Sequence, residues 1–172
     1  MDHWTFVSLR LLHIFAGVFW AGAAIFLAFF LEPVIAATGP AGGSVMAGLT
    51  QRRHMGLFMS SAALLTVLAG IPVYWRISGH LDWDWITSDP GLAYSAAALM
   101  AVAALLLGMF VNGPISKRMG MLGASIERAG EPPSAEQMAQ MDVLRARMTR
   151  AALFSATLLI LATVGMGAAR YL

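Results

Sequence analysis

The chain has no cysteine. Disulfides, thiolate-bound metals, iron–sulfur clusters and covalently attached c-type haem are thereby excluded, and thiols carry no trace of its redox compartment. Charge is scarce too. Asp, Glu, Lys and Arg make up 12% of 172 residues, about half of the roughly 25% usual in soluble domains. The net charge is only +2, and no basic stripe interleaved with aromatics marks a nucleic-acid surface, so nucleic acid is not an expected partner. Also missing are a G-x-S-x-G elbow, an H-E-x-x-H pair, a P-loop and a dinucleotide-binding fingerprint.

What the chain has in excess is apolar surface: 59% of its residues are hydrophobic and the mean hydropathy is +0.72. Four apolar runs, near residues 6–31, 55–75, 92–111 and 151–169, each approach the ~20 residues a spanning helix needs. Lipid cannot satisfy open backbone, so the runs must be helices. The expected fold is all-α: a four-helix transmembrane bundle forming a single integral membrane domain over residues 1–172. The apolar core of the first run is longer than that of a signal peptide and only Arg10 precedes that core, so the helix is expected to stay in the mature protein. Small residues four apart, Gly17 with Ala21, Ala104 with Gly108 and Gly165 with Ala169, suit close helix contact.

Basic residues set the orientation. Arg52, Arg53, Lys117, Arg118, Arg128, Arg145, Arg147 and Arg150 fall in the first and third connections, against Arg10, Arg76 and Arg170 on the other side. The positive-inside rule makes those connections cytoplasmic, with both termini and the second connection outside an inner (cytoplasmic) bacterial membrane.

In the first connection, Glu32-Pro33 and the turn-rich residues 38–44 precede Val45, Met46 and Leu49, which predict a short interfacial helix before helix 2. Arg52 and Arg53 there suit anionic headgroups. Pro72 should kink or loosen the outer end of helix 2. In the second connection Leu81, Trp83 and Trp85 alternate with Asp82 and Asp84, which predicts an extended segment with its indoles in the headgroup layer. His80, Asp82 and Asp84 are alternatively a weak metal-ligand set. Asp89-Pro90 is a helix start, with Asp89 as the cap. In the third connection Ile115, Met119, Leu122 and Ile126 carry helix 3 past the membrane, with a kink from Pro114. Gly130 ends that helix and Ser134 with Gln137 caps the next. A cytoplasmic helical hairpin over residues 112–150 is expected, its apolar stripes facing each other or offered to a partner.

Chemistry centres on the first helix, where His13, Gly17 and Trp20 share a face and Arg10 lies one turn above. A neutral imidazole is a haem-iron ligand, Gly17 leaves bare backbone for a macrocycle, Trp20 suits its edge and Arg10 a propionate. The alternative is a histidine that hydrogen-bonds between helices. Met100 and Met166, in the outer halves of helices 3 and 4, are candidate second axial ligands or ordinary gap fillers among twelve methionines. Met55 with Met59, or Met138 with Met141, place two thioethers on one helix face and are a lesser copper reading. Glu32 and Asn112, at cytoplasmic helix ends, either pass protons or mark boundaries.

Leu12-His13-Ile14, followed by Gly17-Val18 and Trp20-Ala21-Gly22, resembles the first helix of HemJ-type protoporphyrinogen oxidases and copper-resistance protein D. Gln51-Arg52-Arg53 is similar to the basic entry of helix 2 in the HemJ-type group. The resemblance implies haem b on His13, with Arg10 standing where that group has a lysine; the long third connection and the Trp-rich outer loop depart from the pattern. Three functional expectations follow. The first is a membrane haem b protein passing electrons to or from a quinone or porphyrin, in electron transfer or as an oxidoreductase. The second is a cofactor-free subunit of a larger membrane complex or homo-oligomer. The third is copper transport or tolerance.

Overall fold

The computed structural model describes residues 1–172, the Pro40 side chain excepted. Its regular structure is all helical, with no strand among the described residues. The Asp2 carboxylate accepts from the Thr5 amide at 2.6 Å and caps α1 (His3–Phe26). That backbone hydrogen bond, foremost, holds Asp2 below the usual carboxylate range. The helix does not stop at residue 31. It widens into a π-helical turn, Leu27–Leu31, and resumes as α2 (Glu32–Ala37). Gly39, at φ +59°, reverses the chain into α3 (Pro40–Ala47), and a second π turn, Gly48–Arg52, leads to helix 2. The first connection is therefore shorter and more helical than its turn-rich composition predicts.

Helix 2 is α4 (Met55–Ile77), which continues for five residues beyond Pro72. The second connection is not extended. Gly79, His80 and Leu81 all have positive φ (61°, 70° and 69°), forming a left-handed reversal. For the two non-glycine residues this conformation costs roughly 1–2 kcal/mol each. Ser78, fully buried, holds the reversal: its hydroxyl accepts from the Leu81 amide at 3.0 Å and donates to the Trp75 carbonyl at 3.2 Å. One helical turn follows, α5 (Trp83–Ile86), capped by Asp82. The Trp/Asp alternation predicts an extended segment, but the Asp82 carboxylate caps a helical turn there instead.

Ser88, not Asp89, caps α6 (Asp89–Leu107); its hydroxyl accepts from the Gly91 amide at 3.3 Å, while Asp89 and Pro90 lie in the first turn. A third π turn, Gly108–Asn112, joins α6 to α7 (Gly113–Ala129). Two of the π turns stand directly before a proline-bearing pair, Glu32-Pro33 and Gly113-Pro114. Proline offers no amide to the α-helical ladder, and a wider turn re-registers the bonds. Gly130, at φ +67°, ends α7, and the Ser134–Gln137 capping box opens α8 (Ala135–Ala168), which a 3-10 turn, Ala169–Tyr171, completes. The polar extension and the fourth apolar run are one unbroken helix.

Two antiparallel pairs make the bundle: α1 with α4, and α6 with α8, joined mainly where α1 meets α8. All four converge on Trp20, which is buried against Ala62, Ala63, Ala104 and Leu159. Small residues admit the indole and let the backbones approach, which drives association in lipid. The outward faces are apolar, with Phe15, Leu57, Leu99 and Phe110 exposed. Four helices are long and apolar enough to cross a membrane. The chain is a multi-pass membrane protein.

At the loop end of the bundle Trp85 stacks on Tyr94 (centroids 6.1 Å apart) and meets Tyr74 edge-on, while the Tyr74 hydroxyl lies 2.6 Å from Ser95 Oγ. Gly91 passes directly beneath the Trp85 carbonyl, where any Cβ would collide with backbone. Gly91→Ala should therefore destabilise the fold by about 1–3 kcal/mol. Thermal unfolding in detergent checks this, and an unchanged midpoint would contradict the loop packing.

Candidate functional site

Helix 1 meets helix 2 in an antiparallel register running from Phe6 with Arg76, through His13 with Gly70, to Gly17 with Thr66. His13 is half-buried at this seam, and its Nδ1 lies 2.7 Å from the Thr66 carbonyl oxygen. A carbonyl only accepts, so Nδ1 carries the proton and donates. In the neutral ring Nε2 is then left with its lone pair. Metal-bound histidines are commonly held in this way, one nitrogen tied to a carbonyl and the other free to ligate. Gly70 makes the approach possible: a Cβ there would stand 2.8 Å from His13 Nδ1 and 3.0 Å from Cε1. The Thr66 hydroxyl donates its proton to the Ala62 carbonyl at 2.7 Å, so of Thr66 only the backbone carbonyl is bonded to the ring.

The other first-helix positions are placed differently. A Cβ on Gly17 would lie 3.4 Å from the Thr66 methyl, so that bare backbone faces protein. Trp20 belongs to the central core. Arg10 is exposed one turn outward from His13, and the single ion pair among the described residues lies elsewhere, Arg145 with Asp142 at 3.5 Å. The donor chemistry of His13 thus fits an iron ligand, whereas the surface around Gly17 and Trp20 is already covered by helix 2 and the core.

Met100 and Met166 are half-buried on α6 and α8. Gly165 lies against Ala97 and the Ala93 carbonyl, which offsets the two methionines by about 6 Å along the bundle, counted at 1.5 Å per residue. Met59 packs against the central core, and Met138 is exposed. Among the described residues no three His, Asp or Glu side chains gather into a metal-holding group. His80 instead meets Trp75 edge-on at 5.7 Å.

Composition points to Glu32 and Asn112 but not to their partners. Thr149 hydrogen-bonds the Glu32 side chain, and Asn112 Nδ2 donates to Ser155 Oγ at 3.2 Å. Glu32 Oε2 and Asn112 Oδ1 are buried acceptors with no donor. Both partners lie on α8, and both acceptors sit at the end of a π turn, Glu32 just after Leu27–Leu31 and Asn112 as the last residue of Gly108–Asn112, a feature frequent at functional sites. At the opposite end the Arg76 guanidinium lies 4.7 Å over the Phe6 ring and donates to the Met1 carbonyl at 2.9 Å, tying the N-terminus to helix 2. Beside it is a cavity of about 420 Å³ lined by Met1, Pro72, Trp75, Arg76 and His80.

Searches against protein-family models, curated proteins and solved structures return no match.

Sequence spacing flagged His13 but not Thr66 or Gly70. Their only signal was a small residue at each end of a four-residue step on helix 2. Gly70→Ala should displace the imidazole and destabilise the bundle by about 1–3 kcal/mol. Gly22→Ala, where a Cβ would meet nothing within 4 Å, should leave it unchanged. Comparing unfolding midpoints of the two variants tests whether the His13 contact is as close as described.

Proposed function

We propose that this chain is an integral membrane haem b protein in which His13 ligates the iron through Nε2. The observation that carries this reading is the 2.7 Å bond from Nδ1 to the Thr66 carbonyl, which orients the ring and leaves Nε2 as the free donor. The first-helix likeness to HemJ-type and copper-resistance D-like proteins supports it as well. Haem b supplies one-electron chemistry when bound. The chain's own part is to hold the imidazole in one tautomer and keep its surroundings apolar. Arg10, exposed one turn outward, offers a cation to a propionate. Met100 or Met166 would supply a second ligand to the iron, and a membrane quinone or a porphyrin is the electron partner this chemistry would suit. The reduced-minus-oxidised spectrum of protein made with ample haem should show Soret and α bands, lost in His13→Ala and retained in His54→Ala. Absence of those bands in the unmodified protein would sink the proposal.

A second reading is favoured by a specific contact. Thr66 and Gly70 already engage the His13 ring, as a purely interhelical hydrogen bond would. The protein would then be a cofactor-free subunit of a larger membrane complex. Mild-detergent purification separates the two, because that subunit would be colourless and accompanied by stoichiometric partners.

The basic excess in the first and third connections supports a bacterial inner-membrane location with both termini outside and α7 and the start of α8 in the cytoplasm. The lack of native cysteine makes this directly testable. Asp84→Cys should react with an impermeant maleimide in intact cells, and Ser134→Cys only after permeabilisation; the reverse pattern would invert the topology.

A further inference from the structure

Beyond the bundle, α7 and α8 lie side by side but leave a cavity of about 480 Å³ between them. Each helix lines it with one face. Arg118, Leu122 and Ser125 come from α7, and Gln140, Leu144 and Arg147 from α8. The lining is ordered along the helices: the two arginines stand at the end nearest the bundle, leucines in the middle, Ser125 and Gln140 farthest away. No carboxylate lines it. Arg118 and Arg147 are exposed and have no ion pair or hydrogen bond among the described residues, whereas neighbouring Arg145 pairs with Asp142, and Arg150 donates to the Ala146 carbonyl.

The Asn112–Ser155 hydrogen bond registers the two helices against each other. Counted from it at 1.5 Å per residue, Arg118 lies about 9 Å and Arg147 about 12 Å further out, so the two cations are at nearly one level. About 20 residues from Leu92 bring the hydrocarbon edge to about Asn112, which puts the backbones of both arginines just beyond the headgroup layer, with their long side chains able to reach back to it. Toward the membrane from this layer the helices present Phe110 and Phe154, both exposed and apolar. Most charges of the region divide in the same sense: Lys117, Arg118, Arg145, Arg147 and Arg150 near the bundle, Glu127, Glu131 and Glu136 toward the far turn, with Arg128 beside Glu127 and Asp142 paired to Arg145 as the exceptions.

We propose that Arg118 and Arg147 clamp the phosphate of one anionic phospholipid, its headgroup entering the gap between α7 and α8 and its acyl chains running back into the bilayer along Phe110 and Phe154. Two unpaired arginines lining one gap within side-chain reach of the headgroups match a phosphodiester, which each recognises through directed N–H donors. The leucine floor lowers the local dielectric and strengthens the pairing. A second copy is a poor occupant. Inserted the same way in the membrane, it would bring its own arginines to the same level. The inference stands apart from the haem reading and needs no cofactor.

Full-length protein in detergent, titrated with phosphatidylglycerol and followed by native mass spectrometry, tests it. One tightly retained lipid is expected. Its affinity should fall about tenfold or more in Arg118→Gln/Arg147→Gln, equivalent to roughly 1.4 kcal/mol or more, and remain unchanged in Arg128→Gln/Arg170→Gln. Equal retention of phosphatidylcholine, displacement by equimolar inorganic phosphate, or unaltered binding in the first double variant would each overturn the proposal. So would efficient disulfide dimerisation of Val143→Cys in membranes, which would place a second copy in the gap.

Discussion

In a bilayer there is no water to complete an unfinished hydrogen bond, and most of the polar contacts in this bundle answer to that constraint. His13 donates to a carbonyl of helix 2, Tyr74 meets Ser95 across helices 2 and 3, and Asn112 meets Ser155 across helices 3 and 4. Thr157 and Thr163, on the outside of α8, turn their hydroxyls back to carbonyls four residues earlier. The same polar atoms that would be costly in lipid therefore fix which helix face meets which. Glu32 and Asn112 are the exceptions, each with one buried acceptor left over.

Packing rests on a second, steric condition. Helices 1 and 2 approach closely enough for an imidazole to lie on bare backbone only because position 70 is glycine, and the four helices share one indole only because alanines surround it. Apolar burial contributes little to helix association when the alternative is lipid, so contact quality at these few positions carries the energetics. At the loop end a left-handed reversal and an aromatic cluster of Tyr74, Trp85 and Tyr94 perform the corresponding task for the thinner contact between helices 2 and 3.

At His13 one hydrogen bond seats helix 1 on helix 2 and selects the tautomer that leaves Nε2 with its lone pair; in the proposed haem reading this structural contact would also orient the ligand. The contact is common to both proposed readings, a haem protein and a cofactor-free subunit. The polar layer at the other membrane face is distinct in kind. There Arg118 of α7 and Arg147 of α8 are unpaired and line a gap, the opposite of the paired groups inside the bundle.

Hydropathy and length alone determined the four spans, because lipid leaves an apolar run of that size no choice but a helix. Local chemistry likewise determined the Gly130 stop and the Ser134–Gln137 start, since caps depend on neighbours a few residues away. Pro33 and Pro114 carried a readable warning that the ladder must be interrupted, though not that the interruption would be a π turn. Only the tertiary structure decided that Gly17 faces Thr66 rather than open space, that Trp20 is core, and that the Trp83–Trp85 segment is helical. Which of several equivalent apolar faces meets which is set by contacts between residues some fifty positions apart, and the spacing of residues along one helix contains no term for them.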